Sequence, residues 1–174
     1  MTAPFRIELL SGDHDRSRFS SGSAPLDRYF REQASQDIKR RIASCWVALS
    51  AETKEVAGFY TLAAASIALD TLAAETIRKL PRYPVVPAAL LGRLAVAGNY
   101  QGKGLGGVLL SDAVLRVARA ELGVFAMLVE AKDAAAQRFY EHYGFTLLPG
   151  DELRLCLPIA LALRQFETRT QRPA

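Results

Sequence analysis

Between Leu94 and Gly107 the chain reads Leu-Ala-Val-Ala-Gly-Asn-Tyr-Gln-Gly-Lys-Gly-Leu-Gly-Gly, an apolar run followed by glycines at 102, 104, 106 and 107. If the apolar run is a buried strand and the glycines open a helix, the first helical turn presents backbone N–H groups that lack an intrahelical acceptor and carry partial positive charge. Such a terminus binds a pyrophosphate when nothing bulky blocks its approach. Glycine removes that bulk and tolerates positive φ, and Lys103 adds a cation from the side. The segment is not a Walker-A loop, because Gly102-Lys103 is followed by Gly104 and not by Ser or Thr. A dinucleotide fingerprint would sit in an N-terminal strand-turn-helix with an acidic residue about 20 positions on, and that context is missing. A glycine-rich turn without a ligand is the alternative reading.

Elements of the right kind surround this loop. Phe5 to Leu9 alternates as a short strand. Pro25 suits a first helical position, and from Leu26 to Ile42 the apolar residues Leu26, Phe30, Ala34 and Ile38 recur every four, which predicts one amphipathic helix. Cys45–Leu49 and Val56–Ala64 read as a hairpin around Ala51-Glu52-Thr53-Lys54. Leu69–Leu80 reads as helical, and Pro81, Pro84 and Pro87 then break regular structure. Leu90–Val96 shows no alternation, as in a strand buried on both faces. A helix follows from Gly102, with Leu105, Val108, Leu109, Ala113, Leu115 and Ala120 on its apolar side and Gly123 as its stop. Val124–Val129 (strand), Ala134–Tyr143 (helix, stopped by Gly144), Phe145–Leu148 and Leu153–Leu157 (strands about Pro149-Gly150-Asp151) and Ile159–Phe166 (short helix) complete the order, before a frayed tail. This order predicts a mixed α/β fold around one sheet, with residues 1–174 as a single domain.

Composition narrows the partners. The 174 residues carry 22 Lys and Arg against 18 Asp and Glu, a net charge of +4. This mild excess suits an anionic partner such as a nucleotide, coenzyme A or RNA, and equally an ordinary surface. The two cysteines, Cys45 and Cys156, lie in apolar strand-like stretches without a Cys-x-x-Cys or Cys/His cluster, so no metal site is expected. Free buried thiols, a polar N-terminus and no long apolar run predict a cytoplasmic protein.

Gln101-Gly102-Lys103-Gly104-Leu105-Gly106 fits a Gln/Arg-x-x-Gly-x-Gly/Ala signature, and Phe139-Tyr140-Glu141-His142-Tyr143-Gly144-Phe145 fits Phe-Tyr-x-x-x-Gly-Phe. With the element order, these make the chain resemble the GNAT superfamily of N-acetyltransferases. The resemblance implies a central, mixed, mostly antiparallel sheet with flanking helices and acetyl-CoA as cofactor. It implies that the backbone of Leu94, Ala95 and Val96 pairs with the pantetheine arm and that Gln101, Gly102, Lys103, Gly104, Leu105, Gly106 and Gly107 hold the pyrophosphate. Asp133 stands where the family often has an Asn on the pantetheine, Phe139 packs on the cofactor, and Tyr140 is the general acid. A phenol can protonate the leaving sulfur, and a backbone N–H near Val96 can hold the oxyanion. Tyr143 is the competing phenol.

No general base stands out, since His14 falls in a loop and His142 on an exposed helix face. This fits an acceptor already partly neutral, because an α-amino group has a pKa of about 7.7–8.0 against about 10.4 for lysine. Within the superfamily the chain resembles toxins that acetylate aminoacyl-tRNA. The resembling segments are Phe19-Ser20-Ser21-Gly22, Leu26 to Ala34, Gly58 to Leu62 and Leu80-Pro81-Arg82-Tyr83-Pro84-Val85-Val86-Pro87 with Leu91 to Val96. This implies acetylation of the α-amino group of the esterified amino acid, a block on translation, a homodimer, and a cognate ribbon-helix-helix antitoxin. Arg28, Arg31, Lys39 and Arg40 form one expected basic surface for tRNA, and Arg78, Lys79, Arg82 and Arg93 another. The rivals are a GNAT enzyme for a small-molecule or protein amine, which needs no RNA, and a non-enzymatic acyl-coenzyme A sensor, which would not need Tyr140.

Overall fold

The strand order in the sheet of the computed structural model is β1-β2-β3-β4-β5-β7-β6. Its strands are β1 (Phe5–Leu9), β2 (Ser44–Ser50), β3 (Val56–Ala68), β4 (Val85–Val96), β5 (Ala126–Glu130), β6 (Thr146–Leu147) and β7 (Arg154–Pro158). The sheet is mostly antiparallel, and the structure describes residues 4–170, with side chains to 165. The described residues form two compact units, 4–63 with 91–113 and 64–90 with 114–170.

In the first unit β1 pairs antiparallel with β2, Phe5 opposite Ser50 through Leu9 opposite Trp46. Antiparallel pairing of β2 with β3 runs from Ser44 opposite Leu62 to Leu49 opposite Val56, with a bulge between Ala48 and Leu49. The turn between these strands uses Lys54 at φ 64. Phe19, Phe30 and Phe59 centre the core: Phe30 stacks on Phe59 at 4.2 Å, and Phe19 meets Phe30 edge-on at 4.8 Å.

The predicted helix from Leu26 to Ile42 is three pieces: α1 (Ala24–Arg28), a π-helical turn (Tyr29–Gln33) and α2 (Ala34–Lys39). The four-residue repeat carries the reason. In an unbroken α-helix the 12 positions from Leu26 to Ile38 rotate about 1200°, which leaves the two ends roughly 120° apart. A π turn absorbs one extra residue, and Leu26, Phe30, Ala34 and Ile38 then all reach the same core cluster. Arg41, at φ 60, ends the run.

Gly58 in β3 permits a close approach. A Cβ there would lie 2.9 Å from the Ala95 carbonyl oxygen and 2.9 Å from a Leu109 methyl. The carbonyl is backbone and cannot move aside cheaply. Gly58→Ala is expected to cost about 1–3 kcal/mol of stability, the range for overpacking, read as a lower urea midpoint at unchanged slope.

In the second unit β5 pairs antiparallel with β7, Ala126 opposite Pro158 through Glu130 opposite Arg154, and β6 pairs antiparallel with β7. Ile67, Leu72, Val86, Ala88, Ala126, Leu128, Leu148 and Cys156 form its core cluster. Several boundaries differ from the sequence expectation. Leu69–Leu80 is a 3-10 turn (Leu69–Thr71) and a short α3 (Ala74–Arg78). Pro87 lies inside β4 instead of breaking it: it has no N–H to give, but its carbonyl accepts the Phe125 N–H at 2.9 Å. The helix after the glycine loop, α4 (Leu105–Ala118), stops before Gly123, its end tightening as the Ala120 N–H bonds the Val117 carbonyl three residues back. Two helices remain, α5 (Ala134–His142) and α6 (Ile159–Thr170).

Candidate active site

The glycine loop leaves β4 at Val96, makes a 3-10 turn over Gly98–Tyr100, and enters α4 at Leu105. Gly102 has φ +74 and Gly104 φ +83, and a Cβ built on either meets no atom within 4 Å. Glycine is required here by backbone conformation, and the space above both positions is open. The Val108 N–H reaches back to the Gly104 carbonyl at 3.2 Å, so the N–H groups of Leu105, Gly106 and Gly107 precede the first intrahelical donor. Open glycines and unpaired donors are what a pyrophosphate needs. Lys103 is exposed, its ammonium 5.7 Å from the Tyr100 ring.

Gln101 is a clamp. Its side-chain amide nitrogen donates to the Ser21 carbonyl at 2.8 Å and to the Val96 carbonyl at 2.9 Å, using both of its hydrogens. The Gly98 N–H donates to the Ser20 carbonyl at 2.9 Å, and buried Asp27 accepts from the Ser21 N–H at 2.9 Å and hydroxyl at 2.6 Å. Phe19-Ser20-Ser21-Gly22 is thereby the second wall of the glycine loop. The resemblance places Gln101 on the pyrophosphate; in the structure its amide nitrogen ties two chain segments together and its backbone N–H donates to the Gly98 carbonyl at 3.3 Å.

In the second unit the Phe-Tyr-x-x-x-Gly-Phe segment folds on itself. Gly144 at φ +94 ends α5, and the Phe145 N–H returns to the Tyr140 carbonyl at 3.2 Å. Tyr140 then lies edge-on to Phe139 at 5.2 Å and to Phe145 at 5.5 Å. Three tyrosines are buried: Tyr29, Tyr60 and Tyr140. Tyr29 donates to Asp37 at 2.9 Å and Tyr60 to Asp112 at 2.5 Å. Among the described residues the Tyr140 hydroxyl has no hydrogen-bond partner. No buried side-chain oxygen among them lacks a partner, so this hydroxyl reaches solvent and is free to donate. Burial pushes its pKa up to about 12.

Asp133 caps α5, its carboxylate accepting the Ala136 N–H at 2.8 Å. Asp133→Ala should cost about 1 kcal/mol of stability while Asp133→Asn costs little, because Asn caps equally well. A thermal melt of both variants distinguishes this cap from a pure cofactor contact. His14 is committed too: Nδ1 accepts the Ser11 N–H at 2.9 Å, and Nε2 donates to Glu8 at 2.7 Å. His142 is exposed.

Arg28, Arg31, Lys39 and Arg40 are all exposed along the first helical run, with Arg31 also donating to the Phe19 carbonyl at 2.6 Å. Arg78, Lys79 and Arg82 are exposed in the second unit. Arg93, expected with them, belongs to the first unit, its guanidinium carbon 3.4 Å above the Tyr29 ring. The Gln101–Ser21 bond and this stack have no signal in the sequence, because each joins residues far apart in the chain. Among the described residues no helix is long and apolar enough to cross a membrane.

Comparison with known proteins now adds to this geometry. Residues 41–147 match the acetyltransferase (GNAT) domain model. The chain belongs to the GNAT family and is an N-acetyltransferase. It is 39% identical over 158 residues to the tRNA-acetylating toxin of Mycobacterium tuberculosis, covering 90% of this chain and 91% of that protein. The structure of AtaT complexed with acetyl-methionyl-tRNAfMet is similar at a TM-score of 0.87 and 28% identity, covering 93% of this chain and 99% of that one. AtaTR bound with AcCoA is similar at a TM-score of 0.81 and 27% identity, covering 94% and 98%.

Proposed function

We propose that this chain, acting as one GNAT domain, transfers the acetyl group of acetyl-CoA to the α-amino group of aminoacyl-tRNA and so arrests translation. The observation that carries the choice of acceptor is the similarity to a tRNA-acetylating toxin across 90% of the chain. β3, β4 and α4 each contribute residues to both compact units, which favours a single functional domain. The neighbouring structures, one of them with the AtaR antitoxin and DNA, support a cytoplasmic toxin held by a cognate antitoxin. We assign that antitoxin to the ribbon-helix-helix class and the active enzyme to a homodimer.

Acetyl-CoA supplies an activated acyl carbon and a sulfur leaving group. The backbone of Leu94, Ala95 and Val96 orients the pantetheine, with Phe139 packing against it and Asp133 beside it. The N–H groups from Gly102 to Gly107, with Lys103, hold the pyrophosphate at the start of α4. Gln101 keeps the loop in shape by bonding the Ser21 and Val96 carbonyls. Tyr140 donates its Oη proton to the sulfur as the carbon–sulfur bond breaks. A phenol held near pKa 12 stays protonated at every working pH, so it is always ready to donate. No histidine is needed as base, since an α-amino group with a pKa of about 7.7–8.0 is already half or more neutral at about pH 8.

The basic residues named above contact tRNA phosphates. Tyr83, 64% exposed beside Arg82, offers a face on which an unpaired base can stack. The deciding experiment is radiolabelled acetyl transfer to a pool of charged tRNAs, with the labelled amino acids identified after hydrolysis. Label on the aminoacyl group is expected. Label only on protein or polyamine would replace this reading with the small-molecule or protein acetyltransferase.

A further inference from the structure

The first unit contains a buried polar pair, Tyr29 and Asp37, with no part in the steps above. Tyr29 opens the π turn, its ring 6% exposed, and its hydroxyl donates to Asp37, itself 8% exposed, at 2.9 Å. Eight positions separate the two. In an unbroken α-helix they would be about 80° apart around the axis; with one residue absorbed by the π turn they are spaced like seven, close to two full turns, and share a face. The Asp37 carbonyl in turn accepts the Ile42 N–H at 2.9 Å, anchoring the acid at the end of α2. The ring is fixed at its hydroxyl and at its backbone.

Over the face of this fixed ring lies Arg93, its guanidinium carbon 3.4 Å from the centroid. That is van der Waals contact, closer than most cation–π pairs. Arg93 is half-buried and has no ion pair or hydrogen bond among the described residues. No buried side-chain nitrogen among them lacks a partner, so its N–H edges reach solvent. A guanidinium that stacks by its face keeps its edge donors for a planar or tetrahedral oxyanion. The next residue, Leu94, begins the segment assigned to the pantetheine.

We infer that Tyr29 is a positioning residue that holds the Arg93 guanidinium flat beside the cofactor strand as a preset contact for a phosphate of the tRNA acceptor end. This rests on the tRNA reading above. A free arginine loses side-chain entropy on binding; one already stacked on a buried ring has lost it in advance, and the gain appears in KM for RNA.

The test measures kcat and KM for charged tRNA and, separately, KM for acetyl-CoA, in Tyr29→Leu, Tyr29→Phe, Arg93→Lys, Arg93→Gln and the Tyr29→Leu/Arg93→Gln double variant. Arg93→Lys keeps the charge but loses the flat stack, and it leaves the buried Tyr29–Asp37 pair intact, so it reads the proposal even if Tyr29→Leu folds poorly. Arg93→Lys and Tyr29→Leu should each raise KM for tRNA by about tenfold, the scale of a partly desolvated cation–π contact. The values of kcat and KM for acetyl-CoA should stay within about twofold. Tyr29→Phe, which keeps the ring, should fall between wild type and Tyr29→Leu. The double variant should match Arg93→Gln alone. A rise in KM for acetyl-CoA instead would assign Arg93 to the cofactor's phosphates and overturn the inference, as would additive effects or none. If wild type transfers no acetyl to charged tRNA, the tRNA reading falls and this inference with it; normal transfer with indifferent variants sinks the inference alone.

Discussion

Tyr140→Phe is expected to lower kcat by about 10²–10⁴, the usual contribution of a positioned acid, while acetyl-CoA binding by calorimetry stays near wild type. Induced expression of the wild-type chain should stop growth, and the variant should relieve that arrest. The Tyr29 and Tyr60 hydroxyls are committed to Asp37 and Asp112, and Tyr140 has no such partner among the described residues. Its pKa, pushed up to about 12 by burial, adds a pH signature. Tyr140 cannot set a descending limb at working pH, so the rate should rise with acceptor deprotonation and level off above about pH 8. The variant should show the same shape at a lower level. Stability carries a second signature. Between about pH 10 and 12 the folded state keeps the Tyr140 proton while the unfolded chain loses it, so stability falls as pH rises through that window. Two pKa units correspond to about 3 kcal/mol at most, and Tyr140→Phe should remove this part of the alkaline loss. Equal growth arrest by Tyr140→Phe would end the assignment.

Salt should have an effect of similar size on the acceptor side. A protein that contacts six to ten phosphates loses about 10³–10⁵ in affinity between 50 and 200 mM salt, and eight cations are assigned to tRNA here. KM for charged tRNA should therefore climb by about a thousandfold over that range, with kcat and KM for acetyl-CoA nearly flat. Replacing Arg78, Lys79 and Arg82 together by Ala should reduce the slope of log KM against log salt by about 2–3. All three side chains are exposed, so the fold should tolerate the change. Arg31→Ala is different in kind, because it also removes the bond to the Phe19 carbonyl and should lower stability as well as affinity. A flat salt response would favour an uncharged or small amine acceptor.

These expectations depend unequally on sequence and on structure. Local backbone chemistry was readable directly. Glycines at 102 and 104 announced positive φ, and both have it. Gly144 announced the end of α5, and its φ of +94 bears this out. The repeat of Leu26, Phe30, Ala34 and Ile38 even contained the π turn, since four-residue spacing over that length cannot hold one face of a regular α-helix. Period four and period 3.6 look alike over a few turns, so a shorter stretch of the pattern also fits an ordinary helix.

The sequence alone determined the order of elements, the glycine loop and the aromatic motif, because each depends on residues within a few positions of one another. Only the tertiary structure decided that Gln101 spends its amide on Ser21 and Val96, that Arg93 lies on Tyr29, and that Asp133 serves as a helix cap. Gln101 with Ser21 and Arg93 with Tyr29 pair groups about 60 to 80 positions apart, and a polar side chain takes whichever partner folding brings within about 3 Å. For Asp133 the two roles use the same carboxylate, and only the position of the α5 N-terminus shows which bond is made.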